Sequence, residues 1–265
     1  MSINVVLCVC TKIPLMCIWT LINIDCYTIG KVRFFHIVYV YIEACMNSIF
    51  DIIGPVMIGP SSSHTAGAAR LGKMARCIFR STPKKVDLTL YGSFAKTYKG
   101  HGTDRALIGG LLGFKEDDTN IRIAHKLAEK EGMEYNFIES PLDVGHPNVV
   151  RFDMYDEHNR HMTVIGRSLG GGQIMITEVD GNDMSITGDE FTLVVFHEDR
   201  PGAISLVSQA LSESDINIAT MRVFRKGKHK DAVMVITTDT VVNPITVQFM
   251  REFPGIQDVM TFEAL

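Results

Sequence analysis

Residues 59–67, Gly59-Pro60-Ser61-Ser62-Ser63-His64-Thr65-Ala66-Gly67, crowd four hydroxyls and an imidazole against the start of a run with helical periodicity. Where a helix begins, its free N–H groups and positive dipole end favour a small anion such as a carboxylate or phosphate, and the hydroxyls add donors within reach of it. The same residues also suit a plain helix cap with His64 paired locally. In a second cluster, Lys99-Gly100-His101-Gly102-Thr103-Asp104, the glycines on either side of His101 permit close approach of backbone to a ligand, or an ordinary tight turn. In a third, Gly145-His146-Pro147-Asn148, proline biases the preceding histidine toward an extended conformation at the head of a strand; a loop histidine bonded to backbone is the plainer alternative. The fourth, Ser168-Leu169-Gly170-Gly171-Gly172, is glycine-rich, but its spacing fits neither GxGxxG nor a P-loop. It joins two strands rather than a strand and a helix, so a dinucleotide site is rejected.

These groups must be held by the elements around them. From Ala66 to Arg80, Ala69, Leu71, Ala75, Ile78 and Phe79 recur at helical spacing, so the serine-rich loop feeds a helix N-terminus. VDLTLY (86–91) alternates as a strand does, while 105–114 and 120–130 read as helices, the second ending at Gly132. Short strands follow at 149–155, 161–166 and 173–179, separated by turn-forming segments. The polar, glycine-bearing stretch 181–190 is expected to be a domain boundary. Beyond it come a strand (FTLVVF), a turn over 197–202, an amphipathic helix (203–214), strands at 216–225 and 232–238, a helix at 244–253 and a last strand at 256–262. That is βαββαβ in 75 residues. The fold class expected is α+β, a mixed helix and sheet domain over 46–186 followed by a ferredoxin-like domain over 191–265.

A net charge of −4 and 46% apolar residues over 265 positions fit one or two ordinary globular domains. Neither nucleic acid nor an acidic membrane surface is expected as a partner. Five of the six cysteines and the single tryptophan, Trp19, fall within the first 45 residues. Lys12, Asp25, Lys31 and Arg33 break that apolar stretch short of the roughly 18 to 20 residues a membrane span needs, and it has no convincing small-residue cleavage site. Residues 1–45 are expected to be an extension outside the domain, with Met46 as the native start and a membrane anchor or targeting segment as the alternative. Cys77 alone remains, enough for neither a disulfide nor a metal site, so this chain is assigned no metal ligands. A reducing cytoplasm is the expected compartment.

Within the C-terminal portion, Glu198-Asp199-Arg200-Pro201-Gly202-Ala203 opens a helix with an acidic residue, a proline near the first turn and a glycine where something must come close. Together with the βαββαβ order, this resembles the ACT domain, a module that commonly binds amino acids between paired copies. The resemblance implies effector binding at Asp199, Arg200, Pro201, Gly202 and Ala203, and self-association through the same domain.

From Met46 onward, the segments FDIIGPVMIGPSSSHTAGAARLG, YGSFAKTYKGHGTDRALIGG, GHPN and SLGGGQI, in that order, closely resemble the β subunit of bacterial iron–sulfur L-serine dehydratases (L-serine ammonia-lyases). What the family implies is β-elimination of L-serine to pyruvate and ammonia at a [4Fe–4S] cluster. Hydroxide is a poor leaving group, so a Lewis acid and a base that removes the Cα proton suit the reaction. Such a cluster needs several thiolates and Cys77 is alone, so the cysteine ligands are expected on an α subunit partner. Carried over by motif, His64 and Thr65 are the first catalytic candidates and His101 and His146 further ones. Ser61, Ser62, Ser63, Asp104 and Asn148 are candidates for substrate binding.

Two other functions compete with this one. The first domain also resembles the allosteric substrate-binding domain of some phosphoglycerate dehydrogenases, which implies a purely regulatory serine-binding module. His64, His101 and His146 together speak against that, since a sensor has little use for all three. A stand-alone pyridoxal-phosphate dehydratase is the weaker rival, because about 220 usable residues are few for such a fold and no suitable phosphate loop accompanies a Schiff-base lysine.

Overall fold

In a computed structural model of the chain, residues 55–265 are described, together with the short antiparallel strands β1 (Val5–Leu7) and β2 (Thr20–Ile22). The remainder of the N-terminal 45 residues, and with it the expectation of an extension preceding Met46, lies outside the described residues.

The expected helix after the serines is present as α1 (Gly67–Phe79), entered through one wide π-type turn, Ser62–Ala66. Its buried residues include Leu71, Met74, Ala75, Ile78 and Phe79. Strand β3 (Lys85–Tyr91) follows with strict alternation of burial, and its inward Val86, Leu88 and Leu90 are fully buried. Lys99–Asp104 is a junction between two helices rather than an isolated turn. Helix α2 (Gly92–His101) buries Phe94, Ala95 and Tyr98, and Gly102 at φ +69° passes the chain directly into α3 (Thr103–Leu111). Apolar residues at i, i+1 and i+4 are enough to seat α2 although glycine stands at its start and near its end. The helix expected over 120–130 divides into a 3₁₀ turn, Thr119–Ile123, capped by the Asp118 carboxylate, and α4 (Ala124–Lys130).

A six-stranded sheet carries these helices, in the order β4 (Glu134–Glu139), β3, β5 (Asn148–Tyr155), β6 (His161–Gly170), β7 (Gln173–Val179), β8 (Asn182–Ile186). Only the β3–β4 pair is parallel. Gly170-Gly171-Gly172 is the corner of the β6–β7 hairpin, where Gly171 and Gly172 both take positive φ as a two-residue hairpin turn demands. Strand β8 corrects the reading of 181–190 as a boundary stretch alone. Its only two apolar residues, Met184 and Ile186, both point inward and are 4% and 2% exposed, too weak a period-2 pattern to stand out among polar neighbours.

The C-terminal portion has the expected order: β9 (Phe191–Glu198), α5 (Ala203–Glu213), β10 (Ile218–Arg225), β11 (Asp231–Thr238), α6 (Pro244–Arg251), β12 (Ile256–Phe262). Its antiparallel sheet runs β10-β11-β9-β12. One face packs Leu193, Val195, Met234 and Ile236 on the two helices. The other presents Val194, Val233, Val235, Met260 and Phe262 to the core of the first domain. Burial on both faces accounts for the near-continuous apolar runs FTLVVF and AVMVI in an antiparallel sheet. No helix among the described residues is long and apolar enough to cross a membrane.

Helices α1 and α3 meet without intervening side chains. A Cβ on Gly72 would lie 2.3 Å from the Leu107 carbonyl oxygen, and one on Gly110 would lie 2.1 Å from that of Ala69. Gly110→Ala should therefore destabilise the chain by about 1–3 kcal/mol through overpacking, against the roughly 1 kcal/mol that alanine would contribute to an uncrowded helix. Denaturant unfolding checks this, and a midpoint raised by the substitution would show that the helices do not touch.

Candidate functional site

The four motifs converge on the turn Ser62–Ala66. Ser61 caps it, its Oγ accepting from the His64 amide at 3.1 Å. The His64 ring is then held at both nitrogens by hydroxyls: Nδ1 lies 3.0 Å from Ser63 Oγ and 3.5 Å from Ser61 Oγ, and Nε2 lies 3.0 Å from Ser93 Oγ. Thr65 is buried and points the other way, its Oγ1 donating to the His101 carbonyl at 3.1 Å. That bond fixes the C-terminal end of α2 against the serine turn and sets the two imidazoles 4.9 Å apart, with the Phe94 ring edge-on to His64 at 5.3 Å.

The Gly-His-Pro-Asn motif reaches the same place through backbone. Pro147 carbonyl accepts from the Ser93 amide at 2.6 Å, and Gly92 pairs with Asn148 as an isolated bridge. Only glycine fits at 92, because φ is +58° and a Cβ would meet the Pro147 oxygen at 2.6 Å. His146 is turned onto its own loop, Nδ1 accepting from the Asn148 amide at 3.2 Å. The fourth motif closes the far side. The Ser168 hydroxyl sits where a Cβ on Gly67 would be, and Gly172 abuts Pro55. Buried polar atoms without a hydrogen-bond partner among the described residues recur in these motifs: His101 Nδ1, Asp104 Oδ1, Asn148 Oδ1 and Ser168 Oγ. Such atoms are uncommon in a folded core.

Asp104 stands apart from the imidazole pair. Its Oδ2 is 3.0 Å from His125 Nε2, and His125 Nδ1 is 3.0 Å from the Tyr135 hydroxyl. Burial raises the Tyr135 phenol above its usual range, with Glu129 and Asp104 adding to the shift. Sequence reasoning missed His125 and Tyr135, since a histidine on an outward-reading helix face and a tyrosine on an edge strand carry no motif. It also missed Ser93, although Gly-Ser at a strand-to-helix passage, YGSFAK, was visible. Of the expected effector residues, Asp199 accepts from Arg225 at 3.4 Å and from the His229 amide at 3.2 Å, tying down the β10–β11 hairpin. Arg200 lies over Gly255, Pro201 is exposed, Gly202 takes φ +91° at the entry to α5, and Ala203 is buried.

An open cleft of about 800 Å³ lies beside the turn, between α2 and the segment that follows β4. Its walls carry charges of both signs, Lys96 on one side and Glu139 and Asp143 on the other. Burial, and then the neighbouring His101, hold His64 below the usual imidazole value of 6.5; burial, and then Arg167, do the same for His146. The unfolded chain therefore takes up these protons at higher pH than the folded one. Their contribution to stability is present above about pH 6.5 and is lost as pH falls through the depressed folded values. The melting temperature should fall between pH 7 and pH 5, and less steeply in His64→Asn, which calorimetry across that range would measure; equal slopes would mean that His64 titrates normally.

With the geometry in place, comparison with known proteins is direct. A family model described as serine dehydratase beta chain matches residues 48–139, and one described as ACT domain matches residues 191–252. The chain is 43% identical over 213 residues to "Probable L-serine dehydratase, beta chain" of Bacillus subtilis (strain 168), covering 80% of this chain and 96% of that protein. It is 37% identical over 215 residues to the L-serine dehydratase beta chain of Peptoniphilus asaccharolyticus, covering 81% and 96%. A D-3-phosphoglycerate dehydrogenase of Methanocaldococcus jannaschii is 27% identical over 204 residues, which is 76% of this chain but 38% of that longer protein. Two relatives matched over nearly their whole length, at 43% and 37% identity, place this chain in the family of L-serine dehydratase beta chains.

Proposed function

We propose that the chain acts in the cytoplasm as the β subunit of an L-serine ammonia-lyase of the iron–sulfur type, deaminating L-serine to pyruvate in complex with an α subunit. The observation that carries this is the meeting of the four motifs around His64, an imidazole kept neutral by burial and held at both nitrogens by hydroxyls beside an open cleft.

The described residues do not fit a cluster of their own. Cys77 is their single cysteine, burial pushes its thiol up rather than toward thiolate, and no group of three His, Cys, Asp or Glu side chains among them is placed to hold a metal. On this reading the thiolate ligands of a [4Fe–4S] cluster belong to the α subunit. The roles of this chain are binding, orientation and proton handling. Ser61, Ser62 and Ser63 at the head of α1 offer hydroxyls and free amides to the substrate carboxylate, and His64 exchanges the proton. Thr65 and His101 fix the imidazole pair. His146 and Asn148 shape the loop behind Ser93, and Asp104 supports the α2–α3 corner through His125. The ACT domain, with Asp199 to Ala203 at the entry to α5, binds a small effector and pairs with a second copy.

Pyruvate formation from L-serine, measured anaerobically for this chain alone, a cluster-bearing α partner alone and the two mixed, tests the reading. Turnover is expected only in the mixture, lost on exposure to air and lowered at least about 100-fold by His64→Ala with folding intact. The likeness to a phosphoglycerate dehydrogenase gives the rival outcome. If α alone turns over serine fully and this chain only shifts its serine dependence, the chain is a regulatory module and His64 is not catalytic.

A further inference from the structure

His64 does not itself border the cleft. Among the described residues, the wall facing it is made by Gly92, Ser93, Lys96 and Thr97, and the polar route from the cleft to the imidazole runs through one atom, Ser93 Oγ, 3.0 Å from Nε2. The ring's other described neighbours are Phe94, edge-on at 5.3 Å, His101 at 4.9 Å, and Ser63 on Nδ1 at 3.0 Å, and the residue is half-buried. Ser93 is also held more firmly than a surface serine needs to be. It sits at the passage from β3 into α2, its amide donates to Pro147 at 2.6 Å, and the preceding Gly92 is forced to φ +58° by that contact. A hydroxyl bonded to an imidazole whose second nitrogen is oriented by another group has the arrangement by which proteins activate serine oxygens.

We propose that Ser93 is the relay through which His64 acts on substrate: an α-amino acid in the cleft meets Ser93 Oγ, and His64 is the proton store behind it. This rests on the reading of the chain as a serine dehydratase β subunit. Neutral His64 carries its proton on Nδ1, donated to Ser63, and accepts the Ser93 hydroxyl at Nε2. Ser93 Oγ takes the Cα proton of L-serine as its own proton passes to Nε2, so no free alkoxide forms. The C–H electron pair becomes the Cα=Cβ bond as the Cβ–O bond breaks and hydroxide leaves. The Nε2 proton then returns through Ser93 to that hydroxide, giving water and 2-aminoacrylate with both side chains restored. Glu139 and Asp143, across the cleft from Lys96, suit the ammonium group of the amino acid.

Two measurements test this. Long-range ¹⁵N–¹H correlation on the full chain, with histidine labelled, reads the His64 tautomer without any variant; the Nδ1–H form is expected in the wild type, and the Nε2–H form would overturn the relay. In the mixed α–β complex, Ser93→Ala should lower kcat about 100-fold or more with KM little changed, and Ser93→Cys, which keeps a transferable proton at that position, should recover part of the loss. Wild-type kcat in Ser93→Ala, with His64→Ala inactive, would overturn the relay and leave the dehydratase reading standing. Wild-type kcat in both would overturn the reading of the site as a whole. If Ser93→Ala does not fold, the tautomer and the kcat of Ser93→Cys decide, and a Cys variant that folds but shows no turnover counts against the relay.

Discussion

The bare backbone contact between α1 and α3 governs the rest of the first domain. Gly72 and Gly110 let the two helices approach until carbonyl oxygens stand where side chains would be. Because interiors are close-packed, a separation of even one methyl group would be transmitted along both helices. Each helix begins at a motif. The serine turn precedes α1 and the His101-Gly102 corner precedes α3, so the crossing fixes how closely those two beginnings lie. The Thr65–His101 hydrogen bond and the close, tilted pair of imidazoles depend on that spacing. What reads in sequence as two scattered glycines is the dimension from which the site is built.

Much of this was legible before any coordinates. Helix α1 was written in the spacing of Leu71, Ala75, Ile78 and Phe79, β3 in its alternation, and the βαββαβ order in the C-terminal run of apolar blocks. The glycine triplet was recognisable as a strand connection because it lacks the spacing of a phosphate loop. Helix α2 was hidden because its glycines carry turn chemistry at both ends, so local propensity pointed away from a helix that tertiary burial of Phe94 and Tyr98 nevertheless stabilises. Strand β8 was hidden for the opposite reason, having only two inward apolar residues to declare it.

The site divides along similar lines. The types and spacing of Ser61 to Thr65 already named an anion-friendly turn, and that the histidines belong together followed from the family resemblance. Which residues touch which could not follow from either. His64 finds Ser93, 29 positions away, and Asp104 finds His125 rather than an imidazole of its own motif. Partners of this kind are chosen by the sheet, whose β3–β5 register sets Tyr91 against Val149 and so brings the Pro147 loop over the head of α2. No local pattern carries that information.

Between Ile186 and Phe191 only residues 187–190 connect the two sheets, and they are pinned: Asp189 accepts from Arg70 of α1 at 2.7 Å, and the Leu265 amide donates to the Gly188 carbonyl at 2.9 Å. With Val194, Val233, Val235, Met260 and Phe262 serving as part of the neighbouring core, the C-terminal unit is no detachable cassette. A chimera that exchanged it at the linker for a homologous module would have to transplant that apolar face as well, or leave one side of the host domain open to water.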